Sequence, residues 1–134
     1  MFKKRNEGFT LVELLIVLAV IAALLAIVTP VAVNAVKRAK TTQIASTLRN
    51  IAAAAQQYYY TEQDLPDSID DLGNYIQGNV ADYELSAATG SGVSTITIVY
   101  NGGGATVDDL RSIWNEVTDV DGKPGVKVEV SKYW

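Results

Sequence analysis

The chain has 134 residues, no cysteine, no histidine and a formal net charge of −4. Without those two residue types there is no disulfide framework, no thiolate or imidazole metal site, no cysteine nucleophile and no histidine base, so neither an enzyme nor a cofactor is expected. The charge is uneven: from Asn50 onward thirteen acids stand against four bases, a surface that disfavours a nucleic-acid backbone as partner of that part.

Lys3, Lys4 and Arg5 open the chain, and from Leu14 to Val36 no residue is charged. Those 23 residues make about 34 Å of helix, enough to cross a hydrocarbon core of about 30 Å. An ordinary secretory signal peptide is the alternative, with Val33-Asn34-Ala35 resembling an A-x-A cleavage site and a secreted soluble binding domain behind it. Two features oppose that alternative: the apolar run exceeds the roughly 7 to 15 residues of a signal-peptide core, and Glu13 sits near its start. An ionised side chain costs roughly 2.5 to 3.5 kcal/mol at the membrane centre and less near an edge, so Glu13 calls for a partner. Basic residues give no orientation, because three precede the run and three closely follow it.

Lys3-Lys4-Arg5-Asn6-Glu7-Gly8, followed by Phe9-Thr10-Leu11-Val12-Glu13-Leu14-Leu15-Ile16-Val17, resembles the class III signal of type IV pilins and pseudopilins. The resemblance implies a leader at residues 1–8, cut after Gly8 by a prepilin peptidase, and N-methylation of Phe9. The apolar run then stays on the mature protein as a transmembrane and assembly helix over 9–36. Phe9, Thr10 and Glu13 become the assembly group, with Glu13 neutralising the free amine of Phe9 on a neighbouring subunit. A buried carboxylate and a buried ammonium are each costly alone and form a charge-assisted pair together. Implied partners are identical copies, the peptidase, an inner-membrane assembly machine, and lipid before assembly. The head would lie outside the membrane, later in a surface pilus or a periplasmic pseudopilus; pilus, secretion pseudopilus and competence filament all remain open.

Pro30 removes one backbone hydrogen bond from the helix, so a kink is expected near Ile27 to Pro30, at a position where similar pilins also carry a proline. Beyond it Ile44, Leu48, Ile51, Ala52, Ala55, Tyr58 and Tyr59 recur at spacings of three and four, opposite Arg38, Gln43, Thr47, Arg49, Asn50, Gln56 and Gln57. Residues 37–60 therefore read as an amphipathic continuation of the helix. Lys37, Arg38, Lys40 and Arg49 read as a solvated collar near lipid headgroups, against the alternative of DNA capture.

Residues 61–134 read as the head. Leu65-Pro66-Asp67-Ser68 ends the long helix, and Ser68 with Asp71 caps a short helix through Ile76. Asp82 to Ala87, Ser94 to Asn101 and Val126 to Lys132 read as strands, with turns at Gly90-Ser91-Gly92 and Asn101-Gly102-Gly103-Gly104. Thr106 and Asp109 form a capping box for a helix carrying Val107, Leu110, Ile113, Trp114 and Val117. The fold class is α+β: a long N-terminal helix against a small antiparallel sheet, the ladle shape that the resemblance implies. Asp119-Val120-Asp121-Gly122 is a fragment of a calcium loop without its closing glutamate, and an acidic hairpin turn is the plainer reading, so no metal ligand is assigned. Tyr58-Tyr59-Tyr60 reads as packing aromatics, two facing the head.

Overall fold

The computed structural model describes Gly8 and residues 10–134. Contacts divide the chain into two units, Met1–Val36 and Lys37–Trp134, and each is treated by itself. Of the leader expected at residues 1–8 only Gly8 is described, with φ +117°, and Phe9 lies outside the described residues.

Helix α1 runs Leu11–Glu62. Alanine, the strongest helix former, is its commonest residue, and glycine is absent from its length. In the second unit α1 is amphipathic, as its spacing requires. Ile44, Ala45, Leu48, Ile51, Ala52, Ala55 and Tyr59 are buried, while Arg38, Gln43, Arg49, Asn50, Gln56 and Gln57 are exposed. Tyr58 is half-buried and Tyr60 exposed, so one tyrosine of the three is fully committed to the core. Gln63 ends the helix at φ +59°, the left-handed conformation common just past a helix C-terminus.

A single 3₁₀ turn, Ile69–Leu72, follows, where a helix through Ile76 was expected. It stops because the amides of Tyr75 and Ile76 both donate to the Leu72 carbonyl, at 2.8 and 3.0 Å, closing a turn rather than extending a ladder. The Asp71 carboxylate holds its start by accepting from the amides of Asp67 and Ser68, at 2.8 and 3.3 Å.

The sheet has four antiparallel strands: β1 Tyr83–Thr89, β2 Val93–Tyr100, β3 Thr118–Val120 and β4 Lys123–Ser131, in the order β1-β2-β4-β3. The Gly90-Ser91-Gly92 turn joins the first two, pairing Thr89 with Ser94 and Tyr83 with Tyr100. β1 thus continues two residues past Ala87, because the pairing with β2 carries it to the turn. β3 is additional to the three expected strands. Asp121 and Gly122 at its end have φ +52° and +82°, as a two-residue type I′ hairpin requires, and the Asp119 carboxylate accepts from the Gly122 amide at 2.7 Å. That hairpin also starts β4 at Lys123 instead of Val126. Pro124 has no N–H to give, and the β2 ladder accordingly stops at Val99 and Gly125.

Helix α2, Val107–Arg111, begins with the expected capping box: Thr106 Oγ1 accepts from the Asp109 amide at 3.2 Å, and the Asp109 carboxylate accepts from the Thr106 amide at 3.1 Å. That bond, then the Thr106 hydroxyl and Lys37, hold the Asp109 carboxyl below its ordinary pKa. The helix is shorter than its periodicity suggests. After Arg111 the Trp114 amide still reaches the Leu110 carbonyl, but Arg111 Nε donates to the Val117 carbonyl at 2.9 Å and turns the chain toward β3.

One face of the sheet meets α1. Leu48, Ile51, Ile96, Ile98, Leu72, Leu110, Val117, Val126 and Val130 are at most 1% exposed, and they form the centre of the core. Tyr83 and Tyr100 stack across the β1–β2 pair with centroids 5.1 Å apart, and Tyr100 Oη donates to the Gly103 carbonyl at 2.8 Å. Burial, with the Asp82 charge as a smaller cause, raises both phenols above the ordinary value of 10.0. A raised acid is disfavoured as its anion in the folded state, so its contribution to stability is complete below pH 10 and is lost as pH climbs through the folded value. The expected result is that Tyr83 and Tyr100 ionise only together with alkaline unfolding, read as a late, cooperative step in the tyrosinate absorbance titration. A smooth titration of all seven tyrosines near their free value would refute it.

Candidate assembly surface

Every residue from Leu11 to Val36 is exposed, including Leu11 at 73%, Ile27 at 68% and Val31 at 65%. This part of α1 is long and apolar enough to cross a membrane. Burying one such side chain is worth about 1.5 to 3 kcal/mol, so an uncovered run of this length is unstable in water. Its sole charge is Glu13.

Thr10 and Glu13 are brought together at the start of the helix. Thr10 Oγ1 accepts from the Glu13 amide at 3.1 Å, and the Thr10 carbonyl accepts from the Leu14 amide at 3.1 Å. Thr10 therefore caps α1, and Glu13, in the first turn, places its negative charge beside the positive end of the helix dipole. The Thr-x-x-Glu spacing of Thr10 and Glu13 is the sequence signal for this cap, the same type of signature that Thr106 and Asp109 carry. Glu13 thus has a local reason to be where it is, in addition to any pairing with an amine. Phe9, the other member of the expected assembly group, is outside the described residues.

Pro30 lies inside α1, and helical structure is continuous on both sides of it. It cannot donate to the Ala26 carbonyl, and the neighbouring Thr29 hydroxyl donates to the Leu25 carbonyl at 2.7 Å. The Ala26 carbonyl thereby loses its regular donor, while the Leu25 carbonyl accepts a side-chain hydroxyl.

In the second unit the collar bases separate. Lys37 Nζ is 3.7 Å from the Asp109 carboxylate, and the Arg49 guanidinium lies 5.0 Å from the Trp114 ring centroid. The tyrosine tract meets the C-terminal rings: Tyr59 packs against Trp134 at 5.1 Å, and Tyr133 Oη donates to the Tyr60 carbonyl at 2.8 Å, covering an acceptor at the end of α1. Asp119 and Asp121 sit in the β3–β4 hairpin, and among the described residues no group of three acids is placed to hold a metal ion.

Residues 3–29 match the family model of the prokaryotic N-terminal methylation motif. The chain is also similar to the type IV major pilin protein PilA of Myxococcus xanthus (strain DK1622), with 33% identity over 90 residues. That alignment takes in 66% of this chain and 41% of the relative, so the chain spans about two-fifths of the length of the curated protein it matches. No solved structure matches it.

Proposed function

The chain belongs to the type IV pilin family, and from that premise we propose that it is a structural subunit of a pilus-like filament. The precursor inserts as a single-pass membrane protein with its head on the extracytoplasmic side. A prepilin peptidase removes residues 1–8 after Gly8, Phe9 is N-methylated, and residues 9–36 remain as the assembly helix. Residues 37–60 continue that helix under the head, 61–134. An assembly machine in the inner membrane then moves the subunit from lipid into a polymer of its own copies.

The observation that carries this reading is the exposed apolar face Leu11–Val36 with Glu13 as its only charge. Lipid covers such a face before assembly, and the same face of other copies covers it afterwards. In a polymer the Glu13 carboxylate finds a cation in the Phe9 amine of the next copy, which suits a charge held in a low-dielectric core better than any solvent-facing role. Pro30 and Thr29 loosen one turn of the same helix, giving it local freedom to adapt to neighbours.

Mass spectrometry of the N-terminus tests the reading directly. The expected mature chain begins at Phe9 and carries one methyl group. A chain beginning at Val36 overturns it in favour of a secreted domain released from an ordinary signal peptide. Overexpression followed by electron microscopy then separates long surface fibres, expected of a pilus, from the short periplasmic polymer of a secretion pseudopilin.

A further inference from the structure

From Lys37 to Thr61 the chain holds four bases and no acid. The outward face of α1 over this length, which includes Arg38, Gln43, Arg49, Asn50 and Gln57, is exposed. Three of the four bases are engaged within their own unit: Lys37 by Asp109, Arg49 by Trp114, and Lys40 by lying over Gly104, where a Cβ would meet its amine. Arg38 is the exception, with no ion pair, side-chain hydrogen bond or aromatic ring among the described residues.

The opposite situation holds where α1 ends. Glu62, Asp64, Asp67 and Asp71 surround Tyr58, whose phenol is raised above its ordinary pKa first by burial and then by these four carboxylates. Three of them are used internally: Glu62 accepts from Tyr75 Oη at 3.1 Å, Asp64 from the Leu65 amide at 2.9 Å, and Asp71 from the amides of Asp67 and Ser68. The Asp67 carboxylate takes no hydrogen bond and has no cation within ion-pair distance among the described residues, and it is exposed.

We propose that the open cationic face of α1 docks on the acidic margin at the end of α1 in a second copy of this chain, with Arg38 of one copy meeting Asp67 of the other. The inference rests on the filament reading above and adds the contact that fixes how the heads stack. Its occupant is chosen by charge: the helix face has bases and no acid, so two such faces repel, while the margin at the end of α1 gathers four carboxylates on the same chain. In the membrane, anionic lipid headgroups serve Arg38. Once the subunit leaves the lipid, another copy can supply the anion. Arg38 and Glu62 are separated by about 36 Å at 1.5 Å per residue, so the contact joins parallel copies staggered along the helix by about that distance. Donor face and acceptor margin are different surfaces, so the contact is head-to-tail and repeats without closing, which a filament requires.

An exposed ion pair adds little alone, but reversing one partner places like charges together at every subunit of the polymer, which costs much more. The test uses the full chain in cells that make the fibres, comparing Arg38→Glu, Asp67→Lys and the double reversal. Sheared fibres are measured against subunit retained in membranes, and protease resistance of the membrane-held head is the control for folding. Each single reversal is expected to cut fibre yield about tenfold with the head still resistant, and the double reversal to return it to within about twofold of the starting chain. Single reversals that leave yield unchanged, or a double reversal that recovers nothing, overturn the docking while leaving the filament reading intact. If the unaltered chain itself makes no fibres, the filament reading has failed, and the docking falls with it.

Discussion

Glu13→Ala is expected to leave the subunit in the membrane and to remove its fibres. The carboxylate has two distinct physical roles, and they differ greatly in size. One is local: in the first turn of α1 it favours the helix dipole, worth about 0.3 to 1 kcal/mol, while the Thr10 cap on the Glu13 amide is a backbone bond that survives the substitution. The other is the pairing proposed between copies, in which removing one member of a buried ion pair would strand its partner, the Phe9 amine, at a cost of about 3 to 5 kcal/mol. At about 1.4 kcal/mol per tenfold, the second role predicts a loss of a hundredfold or more in the association constant of each added subunit, enough to abolish visible polymer. Glu13→Gln keeps the size of the side chain, the high helix propensity and the Thr10 cap on the backbone and removes only the charge, so a loss of fibres from it reports on charge and not on shape. Both variants should fractionate with membranes at normal abundance, and neither should yield fibres by shearing and electron microscopy. Normal fibres from Glu13→Gln would show that the charge is not needed for assembly and would overturn the pairing.

What could be read from the sequence divides along physical lines. Periodic patterns that bury a face were legible: the Ile44, Leu48, Ile51, Ala55 stripe is buried, and the β-branched run ending at Tyr100 is a central strand. Short elements set by a few local bonds were not. The 3₁₀ turn at Ile69–Leu72 and the five-residue α2 were both read as longer, because apolar residues such as Ile76 and Val117 continue a helical spacing although the chain reaches them by turns. β3 is hidden in the sequence for a different reason. Asp121-Gly122 is a strong signal for a two-residue hairpin, but Pro124 and Gly125 follow at once and argue against a strand in isolation. They are tolerated because Pro124 falls where the β2 ladder has ended, while a Cβ on Gly125 would stand 2.8 Å from the Ile98 carbonyl oxygen and from Val120. At the candidate assembly site, the resemblance points to Thr10 and Glu13, and the bond that joins them is local and follows from their Thr-x-x-Glu spacing. The proposed contact between heads rests on charges such as Arg38 and Asp67, whose lack of a partner among the described residues becomes visible only once the other polar groups have been placed.

The same substitution on the same helix should have opposite consequences at Leu48 and Leu18. Leu48 is 0% exposed and sits where α1 faces the sheet, whereas Leu18 is 54% exposed in the apolar unit. Leu48→Ala removes buried methyl groups and leaves a cavity, which costs about 2 to 5 kcal/mol. Against a total stability of about 5 to 15 kcal/mol, and at about 4 to 8 °C per kcal/mol for a unit of this size, the head's melting temperature should fall by about 10 °C or more. Leu18→Ala exchanges one strong helix former for a stronger one and opens no cavity in the head, so the melt of the full chain in detergent should move by less than about 2 °C. What Leu18→Ala should lose is polymer, because the methyl groups it removes pack only against lipid or other copies. Near-ultraviolet circular dichroism of the full chain follows the head through its tyrosines and tryptophans, all of which lie beyond Gln57. A shift of the head's melt on Leu18→Ala comparable to that on Leu48→Ala would mean that Leu18 serves the stability of the head, and the reading of its exposed apolar surface as one kept for assembly would fail.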